Sequence, residues 1–184
     1  IVLYEIGLMK TICGETETEY AYSIPVIVKD KAEYKIVEIV EYNRLAECKY
    51  MHSKGFQKSR YTFGEAQALH HILERNEVII CEGFFDVVQL HNHGYKHAIS
   101  IMGLGSEEKI FFNILRYKVT NIILCLDTDK AGYKATHSLI NYYIENYKSH
   151  QNINICVFKF SEKDIDAELK KHGTKFLSKV HYTR

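Results

Sequence analysis

The chain has 184 residues, 46% hydrophobic and 26% charged, an ordinary soluble composition with enough apolar content to bury a core. No apolar run approaches the roughly 20 residues that span a bilayer, so no membrane partner is expected. The net charge of +1 names no partner by itself.

The sequence opens Ile1-Val2-Leu3-Tyr4-Glu5, without the basic start and small-residue cleavage site of a signal peptide, and without Met, as expected of a piece of something longer. Ser23–Val28 and Tyr34–Tyr42 read as strands joined by the turn Lys29-Asp30-Lys31-Ala32. Between Asn43 and Thr62, five basic residues (Arg44, Lys49, Lys54, Lys58, Arg60) face one acid, Glu47, a local charge of +4. Such a stretch is either a solvated face or a phosphate-binding strip. Phe63–Arg75 reads as a helix, and a boundary is expected near Arg75 to Glu77.

Beyond it strands and helices alternate. Val78–Cys81 is a short apolar run, a buried strand. Phe85–His93 is a helix stopped by Gly94, on which His91 and His93 read as surface or helix-dipole contacts rather than metal ligands. His97–Ile101 is a strand, and Ser106–Tyr117 a helix with Ser106 as cap and Glu107 and Glu108 in its first turn. Asn121–Leu126 is the clearest buried strand. Lys130–Tyr147 is a long helix, Ile153–Phe160 a strand, and Asp164–His172 a helix closed by Gly173. The alternation predicts an α/β fold with a mostly parallel sheet flanked by helices, preceded by a smaller α+β basic subdomain. The expected division is 1–76, 77–172 and a tail, 173–184. Five cysteines (Cys13, Cys48, Cys81, Cys125, Cys156) show no C-x-x-C pair and read as reduced thiols of a cytoplasmic protein.

The acids sit at the ends of these strands. Glu82 follows Val78–Cys81 directly, with Gly83 next and Asp86 four positions on. Asp127 follows Asn121–Leu126, with Asp129 two positions on; Asp164 and Asp166 come soon after the last strand. Ligands of such sheets bind at the carboxyl ends of the strands. Clustered carboxylates repel one another unless a cation lies among them, and a hard dication such as Mg²⁺ takes oxygen ligands. Either pair alone reads as a turn or helix cap. Together, with one βαβ unit between them, they predict a metal site.

These residues resemble a known family. Glu82-Gly83-Phe84-Phe85-Asp86-Val87 and Leu124-Cys125-Leu126-Asp127-Thr128-Asp129-Lys130-Ala131-Gly132 resemble the two TOPRIM motifs of topoisomerases, primases and some nucleases, in the form found in bacterial DnaG-type primases. Lys163-Asp164-Ile165-Asp166 with Glu168-Leu169 is similar to the third acidic motif, with Ile165 where proline is usual. Ser23–Asp30 resembles the strand that opens the central primase core. Lys49–Ser53, then Phe56–Tyr61 and Gly64, is similar to the basic motif ahead of the TOPRIM segment. Family members usually carry a zinc-binding domain before this core and a helicase-contacting domain after it, which these residues do not include; a truncated, phage or mobile-element relative is expected.

The resemblance implies metal-dependent synthesis of RNA primers on a single-stranded DNA template from ribonucleoside triphosphates, with a replicative helicase met through parts outside these residues. It implies two or more Mg²⁺ or Mn²⁺ ions held by Glu82, Asp86, Asp127, Asp129, Asp164 and Asp166. Glu82, Asp127 and Asp129 would be catalytic, and Lys49, Lys58 and Arg60 would bind template or nucleotide phosphates. Tyr50, Phe56 and Tyr61 would stack on bases or fill the core. A TOPRIM nuclease would use the same acids without need of the basic motif. A non-catalytic DNA-binding accessory module is the third reading.

Overall fold

The structure is a computed structural model that describes residues 9–12, 20–102, 105–149, 152–162 and 164–173. A four-stranded antiparallel sheet comes first: β1 (Met9–Ile12), β2 (Tyr20–Asp30), β3 (Glu33–Asn43) and β4 (Tyr50–Met51), paired in that order. Pro25 sits opposite Ile39 in β2, past the end of β1, where that edge has no partner strand among the described residues and the missing N–H breaks no ladder.

The second sheet contains β5 (Thr62–Phe63), β6 (Glu77–Cys81), β7 (Ala98–Ile101), β8 (Asn121–Cys125) and β9 (Asn154–Val157), in the order β5-β7-β6-β8-β9. β7, β6, β8 and β9 are parallel; only β5 runs antiparallel. The helices are α1 (Glu65–Arg75), α2 (Phe84–Asn92), α3 (Glu107–Arg116), α4 (Lys130–Asn146) and α5 (Ile165–His172). A mostly parallel sheet between helices, preceded by a small antiparallel sheet, is the expected fold class.

Both faces of the second sheet are buried, which is why its strands read as unbroken apolar runs. Ile79 and Cys81 of β6 and Ile123 and Cys125 of β8 pack on one side with Val87 and Leu90 of α2, Ile165 of α5, and Ile24, Val26 and Val40 of the first sheet. Val78, Ile80, Ile122 and Leu124 pack on the other with Ile110 and Ile114 of α3 and Ala135 and Leu139 of α4. The first sheet therefore has no separate core.

Three local readings change. The helix expected from Phe63 starts at Glu65, because Thr62 and Phe63 pair with Ile101 and Ser100 as an edge strand and Gly64 turns the chain at φ 82°. Ser106 holds the cap position of α3 but makes no side-chain capping bond. His91 is not a surface group. It is buried where α2 packs on β7, its Nε2 2.9 Å from the Ala98 carbonyl oxygen, while His93 does contact the helix end, Nδ1 lying 2.8 Å from the Gln89 oxygen. Among the described residues no disulfide forms: Cys81, Cys125 and Cys156 are buried thiols and Cys48 is exposed, while Cys13 lies outside the described residues, as do 174–184. No helix among the described residues is long and apolar enough to cross a membrane.

Candidate metal and nucleic-acid site

β6 and β8 are neighbours in parallel register, with Cys81 opposite Cys125, so the residues just past them emerge at the same edge. Glu82 leaves β6 there, and Asp127 leaves β8. Asp129 caps α4: its Oδ1 accepts the N–H groups of Ala131 (2.8 Å) and Gly132 (2.9 Å). Asp164 caps α5, its Oδ1 accepting the Ala167 N–H at 2.9 Å. Asp86 reaches back within α2, its Oδ2 accepting the Gly83 N–H at 2.8 Å; a β-carbon at Gly83 would stand 3.0 Å from that oxygen. Asp129 and Asp164 are thus helix caps, and Asp86 closes the first turn of α2 on the Gly83 N–H. One oxygen of Asp86, Asp129 and Asp164 fixes the carboxylate, and the other has no hydrogen bond among the described residues.

The acids act on one another's ionisation. Burial raises the pKa of Glu82, the negative charges of Asp127 and Asp129 raise it further, and a hydrogen bond from the Asp127 backbone opposes them. Burial pushes Asp86 up to about 7, with Asp127, Asp164 and Glu82 adding to it and the Gly83 N–H opposing. Glu82 Oε2 is buried without a hydrogen-bond partner. No ion pair joins Glu82, Asp86, Asp129 or Asp164 to a basic side chain among the described residues.

A buried oxygen without a partner, among acids without counter-charges, fits a cation. Among the described residues, however, no three His, Cys, Asp or Glu side chains close into a ready-made cage. An ion here would complete its shell with water and phosphate oxygens, as Mg²⁺ commonly does. The charges of Asp127 and Asp129 thus act on Glu82, and those of Asp127, Asp164 and Glu82 on Asp86. Asp166 lies on α5, with its side chain outside the described residues.

The basic strip borders this edge. Lys49, Lys58 and Arg60 are exposed, as are Arg44 and Lys54, and none has an ion pair among the described residues. Lys58–Arg60 form a single 3-10 turn against α3, with Ser59 beside Gly105 in the loop after β7, the strand next to β6. On another side, the Tyr50 ring packs 5.4 Å from Phe84 and 4.9 Å from Tyr42. Burial pushes its hydroxyl up to about 12, with Tyr42 and Asp86 contributing. The half-buried Tyr50 thus packs against the core and ties β4 to α2. Phe56 stacks between Tyr61 (5.2 Å) and His52 (5.8 Å), both half-buried.

Two residues within the motifs have packing roles that the sequence reading did not assign. Gly132 fits because α4 crosses directly over the Asp127 backbone. Glu168, the other, spaced with Ile165 and Leu169 on the buried face of α5, ties down the loop before Asp164.

Residues 79–169 match the Toprim-like family, and this stretch of the chain is a TOPRIM domain. It is of the bacterial DnaG-type primase kind. The chain is 34% identical over 125 residues to the DNA primase of Rickettsia felis, across 68% of this chain and 21% of that protein. The chain thus spans about a fifth of the length of that relative. A DNA primase domain from Pseudomonas aeruginosa superposes with a TM-score of 0.72 at 19% identity, covering 98% of this chain and 59% of that one. A DnaG primase catalytic domain bound to single-stranded DNA superposes with a TM-score of 0.68 at 20% identity, covering 98% and 58%.

Proposed function

We propose that the chain is the core of a DNA primase-type RNA polymerase, a nucleotidyltransferase of the cytoplasm that joins ribonucleotides on single-stranded DNA. The observation that carries this reading is the unpartnered, buried Oε2 of Glu82 among Asp86, Asp127 and Asp129, next to an exposed strip of unpaired cations.

Glu82, Asp86, Asp127, Asp129, Asp164 and Asp166 would hold two or more Mg²⁺ or Mn²⁺ ions. When bound, such ions neutralise charge on the attacking 3′ oxygen, the transferred phosphoryl group and the leaving pyrophosphate. Asp129 and Asp164 offer oxygens whose orientation their caps fix in advance. Glu82, with its pKa raised, suits acceptance of the 3′-hydroxyl proton, which calls for a carboxylate more basic than usual. Lys49, Lys58 and Arg60 would hold template or triphosphate phosphates by salt-sensitive contacts. A replicative helicase would be met through parts of the protein outside these residues.

The test incubates the chain with single-stranded DNA, labelled ribonucleotides and Mg²⁺ or Mn²⁺, beside an Asp127→Asn/Asp129→Asn variant. Asparagine at 129 keeps an oxygen for the α4 cap, so a loss of activity is not a loss of the helix. Short oligomers from the wild type alone support the proposal. Metal-dependent cutting of the template without oligomers would show a nuclease instead.

A further inference from the structure

The loop between β9 and α5 carries Asp164 to the acidic edge, and one buried side chain holds it. α5 buries Ile165 and Leu169, and the same face places Glu168, 5% exposed, between them. A carboxylate is seldom buried to that degree without strong partners. Glu168 finds them in the loop: Oε2 accepts the N–H of Ser161 at 2.8 Å and of Glu162 at 3.0 Å, and the Ser161 hydroxyl donates to it at 3.1 Å. One turn later, His172 Nε2 lies 3.0 Å from the Ser161 hydroxyl oxygen, and Lys171 pairs with Glu162. This Ser–Glu–His group is not a nucleophilic triad. Its acid binds the serine itself, and both meet His172 at the same ring nitrogen, Nε2, the serine hydroxyl at 3.0 Å and Glu168 Oε1 at 3.6 Å, where a triad would use opposite nitrogens.

We infer that Glu168 is a positioning residue that closes the loop back onto α5 and so sets the carboxylate of Asp164 toward Asp86. The clasped residues, Ser161 and Glu162, come just before Asp164. The Asp164 side chain caps α5 through Oδ1, and its charge reaches Asp86. Glu168 thus ties Ser161 and Glu162, ahead of Asp164, to the helix that Asp164 caps. The inference rests on the reading of the acidic edge as a metal site.

Mn²⁺ titration of the whole chain by electron paramagnetic resonance tests it in four proteins: wild type, Glu168→Leu, Asp164→Asn and the double variant. Leucine keeps the buried size and removes every acceptor. Removing a residue that orients a metal ligand typically weakens the metal tenfold or more, so Glu168→Leu is expected to lose about tenfold in Mn²⁺ affinity. If Glu168 works through Asp164, the same change in the Asp164→Asn background loses less than about twofold. Glu168→Gln, which retains one acceptor oxygen, is run in both backgrounds and is expected to lose about threefold in the first and nothing further in the second. It also carries the test should the leucine variant fail to fold. Equal losses in both backgrounds, or no loss in either, would overturn the inference. A wild type that takes up no Mn²⁺ would instead overturn the metal reading, and the inference with it.

Discussion

Gly132 of α4 passes so close to the backbone of Asp127 that a β-carbon there would stand 2.7 Å from the Asp127 carbonyl carbon and 2.8 Å from its nitrogen. The approach folds α4 over the end of β8 and brings the Gly132 N–H to Asp129 Oδ1. The glycine of the second acidic motif is thus a packing requirement of the edge that carries both aspartates.

Helix propensity alone says that Gly132→Ala should stabilise the chain by about 1 kcal/mol. The backbone contact reverses the sign, and the expected result is a loss of about 2 kcal/mol or more. Urea unfolding measures it. A variant as stable as the wild type would mean that the Asp127 backbone can move aside at little cost.

Asp86 predicts a pH dependence. Folding raises its pKa from 3.8 to about 7, so between those values the folded chain binds more protons than the unfolded one. The associated stability is fully present below about pH 4 and is lost as pH rises through 7. In metal-free protein, Asp86→Asn, which removes the ionisation, should raise stability at pH 8 by about 2 kcal/mol, roughly 4–8 °C in Tm for a chain of this size. Near pH 4 the two proteins should melt together. Thermal unfolding across pH decides it, and parallel curves would show that Asp86 is not held protonated.

The exposed cations predict a salt effect. Each phosphate contact on a single strand contributes about 0.7 to the slope of log affinity against log salt. Lys58→Ala and Arg60→Ala should each flatten that slope by about this amount for an oligo-dT strand. Lys35→Ala should leave it unchanged, because Lys35 already pairs with Asp30 at 2.7 Å on the β2–β3 hairpin. Anisotropy titrations at several salt concentrations provide the slopes. Equal slopes for all three variants would place the strand elsewhere.

The second sheet was legible because its strands are buried on both faces and end in acids: Val78–Cys81 runs straight into Glu82, and Asn121–Leu126 into Asp127. The first sheet's hairpin was legible for its length and turn. Thr62–Phe63 was not, since two residues carry no period and their partners, Ile101 and Ser100, lie far along the chain. His91 was misread although it stands one turn after Val87, on the face that α2 buries. That Asp129 and Asp164, the proposed site acids, also cap helices shows only where backbone donors are placed in space. Glu168 gave a signal, a charge at the spacing of Ile165 and Leu169, but its partners come from a loop without pattern.

In the proposed function, the acids at the ends of β6 and β8 bind nucleotide through a divalent ion. The most direct test is the binding of a labelled ribonucleoside triphosphate by the wild type and by Asp127→Asn, each with Mn²⁺ and with EDTA. Mn²⁺ should tighten binding at least about tenfold in the wild type and have little effect in the variant. Binding of equal strength with and without the ion would contradict the proposal, and would mark the chain as a nucleotide- or DNA-binding module whose acids serve only as helix caps.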